Sequence, residues 1–191
     1  MNLTMTSLVA ARLAHAFNLI ALYGISLLLL VAFYYQLFQG ELPCPLCLLQ
    51  RVAFIMVGIG FLLNVRRGAS PLHYGLVILS ALAGAFASGR QVLLHIVPGS
   101  GSYGSALFGL HFYSWAFVAF VLILLAVGVI LLVEARANGE RSRPLNSPLN
   151  NAAGLLLLLL VLVNAASTLL ECGFGPCIDN PIVYQWLPSK P

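Results

Sequence analysis

The chain has 191 residues, 61% of them hydrophobic and only 7% charged, with a mean hydropathy of +0.99. A water-soluble domain of that balance would lack the polar surface to cover its core, so an integral membrane protein is implied. The net charge of +4 falls in particular loops, where it sets membrane orientation, and not in a patch for nucleic acid.

The first apolar stretch runs from about Ala16 to Phe38, long enough for a hydrocarbon core that takes ~20 helical residues. Arg12 and His15 precede it as in a secretory signal. Its apolar part is too long for one, however, and the exit Gln39-Gly40-Glu41-Leu42 offers no small-x-small cleavage site. A retained first span is expected.

Directly after it comes Pro43-Cys44-Pro45-Leu46-Cys47-Leu48-Leu49-Gln50-Arg51, a dithiol at the mouth of the next apolar helix. A C-x-x-C spacing brings two sulfurs close enough for an exchange-competent disulfide; taken alone, it also admits a structural zinc site or an inert bridge. Pro45 suits the first helical position, where its fixed φ fits and its missing N–H is not needed. Cys44 then caps the helix and Cys47 sits in the first turn, where free N–H groups and the helix dipole favour a thiolate. Arg51 follows one turn later on the same face and adds positive charge on the sulfur's side. An arginine at membrane depth costs ~2.5 to 3.5 kcal/mol, and near the outer end of a span the alternative role for Arg51 is a snorkelling anchor.

The second span runs from about Leu46 to Val65 and ends at Arg66-Arg67; the third, from about Tyr74 to Val97, carries Arg90, Gln91 and His95 near its far end. Ala81, Gly84, Ala85 and Ser88 recur at helical spacing, a stripe for close helix packing. Gln91 and His95 share a face and are placed to line the same outer cavity as Arg51. Arg90 is either a snorkelling anchor or a member of that cavity, and His95 either belongs to it or is a hydrogen-bonded packing residue. The loop from Pro98 to Tyr113 has no cysteine, lysine or arginine. Its Tyr103, Phe108, Phe112 and Tyr113, with Trp115 beyond, suit a segment lying in the headgroup region, and His111 is also read as interfacial.

A fourth span runs from about Ser114 to Val133 and a fifth from about Ala152 to Leu170; between them Arg136 to Asn151, rich in Asn, Ser, Pro and Arg, is the clearest boundary in the chain. The predicted fold is an all-α membrane protein. A four-helix transmembrane bundle occupies residues 1–135, a cytoplasmic linker 136–151, and an appended fifth transmembrane helix with a cysteine-bearing tail 152–191. In Cys172-Gly173-Phe174-Gly175-Pro176-Cys177 the glycines and the proline let the chain turn so that the sulfurs approach. The pair is either a static bridge pinning the tail or a second exchangeable dithiol on a flexible arm.

With five spans, Arg12, Arg66, Arg67, Arg136, Arg141 and Arg143 fall on one side and Lys190 on the other. The excess of cations puts the N-terminus, the Arg66-Arg67 turn and the linker in the cytoplasm and the C-terminus outside. Cys44, Cys47, Cys172 and Cys177 then all lie outside, where disulfides persist, and no metal site is expected. A four-span or six-span count would set the two pairs on opposite sides.

A C-x-x-C at the outer end of the second span, with arginine four residues after the second cysteine, resembles the DsbB family of bacterial inner-membrane thiol:quinone oxidoreductases. The resemblance extends over the first four spans in order. The stretch from Arg90 through His95-Ile96-Val97-Pro98-Gly99 to Tyr113-Ser114-Trp115 is similar to divergent members. It implies a multi-pass protein of the bacterial inner membrane, with a periplasmic thioredoxin-fold, DsbA-like oxidase as partner. That oxidase would pass electrons to Cys172 and Cys177. From there they would reach Cys44 and Cys47 by disulfide exchange, and then a ubiquinone or menaquinone. In the family, the second cysteine of the C-x-x-C makes a charge-transfer contact with quinone beside the arginine; those positions here are Cys47 and Arg51, with Arg90 and His95 as further candidates for holding the quinone. One departure is plain: the family's second pair lies between the third and fourth spans, and here it lies beyond a fifth. Two other readings stand beside this one. A vitamin K epoxide reductase-like quinone reductase usually carries its C-x-x-C late in the chain, and a non-enzymatic membrane scaffold would hold both disulfides static.

Overall fold

The computed structural model describes residues 2–97, 99, 101–136 and 147–187. Helix α1 spans Asn2–Phe38, α2 Pro45–Arg67 and α3 Pro71–Leu94; a small hairpin of β1 (Ala106–Leu107) and β2 (Leu110–His111) precedes α4 (Phe112–Arg136), and α5 spans Pro148–Cys172. All five helices are long and apolar enough to cross a membrane. The expected all-α membrane protein with five spans is therefore what the chain forms. Of the expected linker, residues 137–146, with Arg141 and Arg143, lie outside the described residues, as do Pro98 and Lys190.

Three of the helices open on proline after an extended residue: Pro45 after Cys44, Pro71 after Ser70, and Pro148 after Ser147. The ring pre-sets φ where no N–H is needed. Glycine at φ 88° (Gly68) and φ 61° (Gly173) ends α2 and α5. These signals make the helices differ from the hydropathy spans at both ends. The third helix starts three residues before Tyr74 and stops at Leu94, because His95 turns its N–H to Val92 O (3.1 Å) and closes the last turn.

In the bundle α2 packs on α1 and α3, and α3 on α4, while α5 lies against α1 and α2 from outside. The core is built from Leu22, Ile25 and Phe33 of α1, Phe54, Val57 and Phe61 of α2, Val77 and Ala81 of α3, Phe120 and Val127 of α4, and Leu157 of α5. The Phe54 and Phe120 rings stack with centroids 4.1 Å apart. The small-residue stripe of α3 serves this contact: a Cβ at Gly84 would run into the Phe120 ring, and Ser88 Oγ donates back to Gly84 O at 2.7 Å.

At the end of the bundle away from the cysteines, a buried polar staple ties four helices together. Asn64 Nδ2 donates to Asn18 Oδ1 (2.8 Å), Asn18 Nδ2 to Tyr74 OH (2.7 Å), and Tyr74 OH to Glu134 Oε1 (3.3 Å). At the cysteine end the loop before α4 does not simply lie among headgroups, as its aromatics suggest. It folds over the segment that leads into α2: Tyr103 OH donates to Leu42 O (2.5 Å), and Ser105 donates through both its N–H and its hydroxyl to the Glu41 carboxylate. Phe108, 91% exposed, and Trp115, 37% exposed, keep the outward position expected of them. Tyr103, Phe112 and Tyr113 turn inward, and the hairpin, reversing at Phe108 and Gly109 with φ of 50° and 82°, finds polar partners for its backbone on the protein.

Candidate active site

Cys44 caps α2: its Sγ accepts the Cys47 N–H at 3.2 Å, and Pro45 is the first helical residue. The two sulfurs are bonded across a Cα–Cα distance of 5.0 Å. Cys44 is buried and Cys47 half-buried, so the pair sits just beneath the surface at the helix mouth, as the C-x-x-C-x-x-x-R pattern predicts.

Above the disulfide lies Gln91 of α3, 1% exposed. Its Nε2 stands 3.4 Å from Cys44 Sγ and 3.7 Å from Cys47 Sγ. Its Oε1 accepts from Nε2 of buried Gln50 at 2.8 Å, which fixes the amide's orientation. Sequence reasoning placed Gln91 in the outer cavity beside Arg51 and gave it no contact with sulfur, and it gave Gln50 no role. The signal available was cost: an uncharged amide inside an apolar span is retained only where it finds partners.

Cys47 also borders a cavity of about 470 Å³ enclosed by α1, α2, α4 and the hairpin. Its walls are apolar and aromatic, with Phe54, Phe112, Tyr113 and Trp115 prominent, and its polar members include Gln50, Arg51, Glu41 and Tyr103. Leu27, Leu28, Val118 and Leu122 line it while also standing exposed on the outer surface of the helices, so it opens sideways toward the lipid. Size and lining suit a flat lipid-soluble ring.

Arg51, 9% exposed, reaches this wall but turns its guanidinium to α1. Nη1 donates to Gln36 Oε1 (2.6 Å), Nη2 to Ala32 O (3.2 Å), and the group rests over the Phe33 ring at 5.2 Å. No hydrogen bond joins it to either sulfur among the described residues; its charge is shared with the cavity and not spent on the disulfide. Gln36 is itself held from the fifth helix and its tail, its Nε2 donating to Ser167 Oγ (2.7 Å) and Tyr184 OH (2.9 Å). Nothing local in the sequence announces that clamp.

The structure does not bring Arg90, Gln91 or His95 into the lining of the cavity, although Gln91 and His95 were expected there. Arg90 is exposed on α3. His95 Nδ1 donates to Gln91 O at 2.8 Å and its ring stacks on Tyr113, 5.2 Å between centroids, so it stands behind a wall residue. The reason is geometric: α3 faces α2 with Gln91, and the cavity lies on the other side of α2.

Cys172 and Cys177 are bonded to each other, Cα–Cα 4.7 Å. The tail beyond folds back on α5: Trp186 N–H donates to Leu170 O (3.1 Å), and its indole occupies the space a Cβ at Gly173 would need. Cys172 is 3% exposed and Cys177 half-buried. Glu171, equally buried, has no hydrogen-bond partner for either carboxylate oxygen among the described residues, and it lies within electrostatic reach of Arg51 and Tyr103. The second pair therefore stands at the same end of the bundle as the first. Tyr103, outside the spans, has its phenol pushed up to about 12 by burial first, then by the negative charge of Glu171 and Glu41.

Residues 14–103 match the family model described as disulfide bond formation protein DsbB. That range holds α1 to α3 with Cys44, Cys47, Arg51 and Gln91, and stops short of the fourth span to which the motif comparison extended the resemblance. The chain is 45% identical over 71 residues to disulfide bond formation protein B of Nitrosomonas eutropha, covering 35% of this chain and 44% of that protein. It is 44% identical over 84 residues to the protein of that name from Pseudomonas syringae pv. tomato (40% and 49%), and 37% identical over 93 residues to disulfide bond formation protein B 1 of Pseudomonas fluorescens (46% and 54%). The chain thus matches about half the length of these relatives, and α5 with Cys172 and Cys177 falls outside the matched part. No solved structure matches the chain.

Proposed function

We propose that this chain, a DsbB-like protein over residues 14–103, is a membrane thiol:quinone oxidoreductase that reoxidises a thioredoxin-fold disulfide donor of the DsbA type. The observation that carries the reading is the position of the Cys44–Cys47 disulfide in the wall of an apolar cavity that opens to lipid, with the Arg51 cation in the same wall. Cys47, Arg51 and the aromatic walls would hold a ubiquinone or menaquinone. When bound, the quinone supplies a sink for two electrons and two protons.

The chain's own residues do the rest. A reduced partner transfers two electrons and two protons to Cys172–Cys177: its disulfide forms and the tail's bond opens. The tail dithiol then opens Cys44–Cys47 by the same exchange and closes again. Cys177, the more accessible sulfur of the tail, meets the partner first. Arg51 holds positive charge in a water-poor cavity where charge develops during reduction. His95 supports the site through Tyr113, and Arg90, exposed, serves at the bilayer surface. The cation distribution supports an N-terminus in the cytoplasm and both cysteine pairs in the periplasm of a bacterial inner membrane.

The test is to mix purified protein with a reduced thioredoxin-fold donor and a soluble quinone analogue and to follow quinone absorbance. Reduction of quinone in step with oxidation of the donor is expected, and replacing Cys47 by serine abolishes it. No reduction, with both pairs staying oxidised under mild reductant, would instead make the protein a scaffold with static bridges.

A further inference from the structure

We propose that Gln91 is a catalytic residue of the Cys44–Cys47 pair, its amide N–H groups receiving the thiolate that forms when the disulfide opens. The inference rests on the reading of that pair as redox-active, and it assigns a task that neither the C-x-x-C nor Arg51 performs.

The geometry is specific. One amide nitrogen approaches both sulfurs, at 3.4 Å and 3.7 Å, and it carries two N–H groups. Gln50 Nε2 donates to the oxygen of the same amide, so turning Gln91 over would set one NH₂ group against another. The donor end is thereby set toward the disulfide and nearest Cys44 Sγ, while the amide oxygen lies 3.9 Å from Cys47 Sγ. Both glutamines are buried, and water does not compete for the contact.

The chemistry supplies the rest. An incoming thiolate attacks one sulfur, its lone pair forms the new S–S bond, and the electron pair of the Cys44–Cys47 bond leaves on the other sulfur. No proton is gained or lost, and the reaction replaces one exposed charge by a charge beneath the surface. A disulfide sulfur accepts hydrogen bonds weakly, whereas a thiolate accepts a charge-assisted one. Gln91 therefore gains little before the bond opens and much as it opens, which is the differential that lowers a barrier. With Nε2 nearest Cys44 Sγ and the amide oxygen close to Cys47 Sγ, the amide serves best when Cys47 is attacked and Cys44 leaves as the thiolate. Arg51 does not substitute for it, since its Nη1 and Nη2 are turned to Gln36 and Ala32. The Cys47 N–H serves Cys44 alone.

The test uses the full-length protein with no partner and no quinone. Wild type, Gln91→Met and Gln50→Met are equilibrated with mixtures of reduced and oxidised dithiothreitol, and each cysteine pair is scored separately by differential alkylation and peptide mass spectrometry. Methionine keeps the length of the side chain and removes the donor. Gln91→Met is expected to shift the Cys44–Cys47 equilibrium toward the disulfide by about tenfold and to slow its opening, while Cys172–Cys177 is unchanged. Gln50→Met, which keeps the donor but frees its orientation, gives a smaller shift the same way. Should Gln91→Met misfold, the Gln50→Met shift alone decides. Equal equilibria and opening rates in wild type and the folded variants would overturn the inference. Failure of wild type to reduce quinone would sink the proposed function instead and leave this measurement intact.

Discussion

At the scale of single residues, Arg51 and Cys47 share a cavity wall, and the proposed function gives them separable tasks. Removing the guanidinium in Arg51→Met leaves Gln36 Oε1 without its donor, removes the side-chain bond to Ala32 O and strips the cavity of its cation. Hydrogen bonds to charged groups contribute about 1.5 to 3 kcal/mol, so the KM for a quinone analogue should rise by roughly tenfold or more, while the rate of disulfide exchange with the donor protein stays near wild type. Parallel loss of both rates would remove Arg51 from the quinone site. Tyr103 gives a second prediction. Its phenol is held up at about 12 by burial, above the ordinary value of about 10. The neutral form is thus favoured in the folded protein, and its contribution is complete below pH ~10 and lost as pH rises through the folded value. Ultraviolet titration of wild type against Tyr103→Phe should assign one phenol that ionises later than an ordinary tyrosine. The dithiol, its proline and its arginine were legible in the sequence because each acts within one turn of helix. Gln91 was legible only as a face, because its partners lie 41 and 47 residues away.

At the scale of elements, the five helices were legible because a bilayer demands long apolar segments whatever they pack against. Their ends followed proline and glycine more than hydropathy. The relation of α5 to the site was not legible: Gln36 meets Ser167 and Tyr184 across separations of 131 and 148 residues, and no pattern along either helix encodes such a meeting. The appended helix and its returning tail hold the amide that holds Arg51. Combining Ser167→Ala with Tyr184→Phe removes both acceptors and leaves Gln36 held by Arg51 alone. Quinone KM should rise severalfold and the Tm of the solubilised protein should fall only slightly, since no apolar contact of α5 is lost. A large fall in Tm with unchanged KM would show α5 to be packing alone.

At the scale of the whole molecule, two disulfides close at one end of a bundle that a polar staple fastens at the other. The tail pair is presented unequally, with Cys172 enclosed and Cys177 half-open. Cys172→Ser should therefore leave the Cys177 thiolate able to attack the disulfide of the oxidised donor protein, whose other sulfur leaves as thiolate, and so hold that protein as a mixed disulfide visible on non-reducing gels, whereas Cys177→Ser should capture it poorly. Equal capture by both variants would show that the enclosure seen at Cys172 does not govern access. On the proposed function, the sideways mouth of the cavity between Leu27, Leu28, Val118 and Leu122 bears on how the protein would be saturated with quinone. An acceptor that enters from hydrocarbon partitions first and binds second. Turnover then follows the mole fraction of quinone in the bilayer, so that adding empty lipid at constant quinone slows it while enlarging the aqueous volume does not.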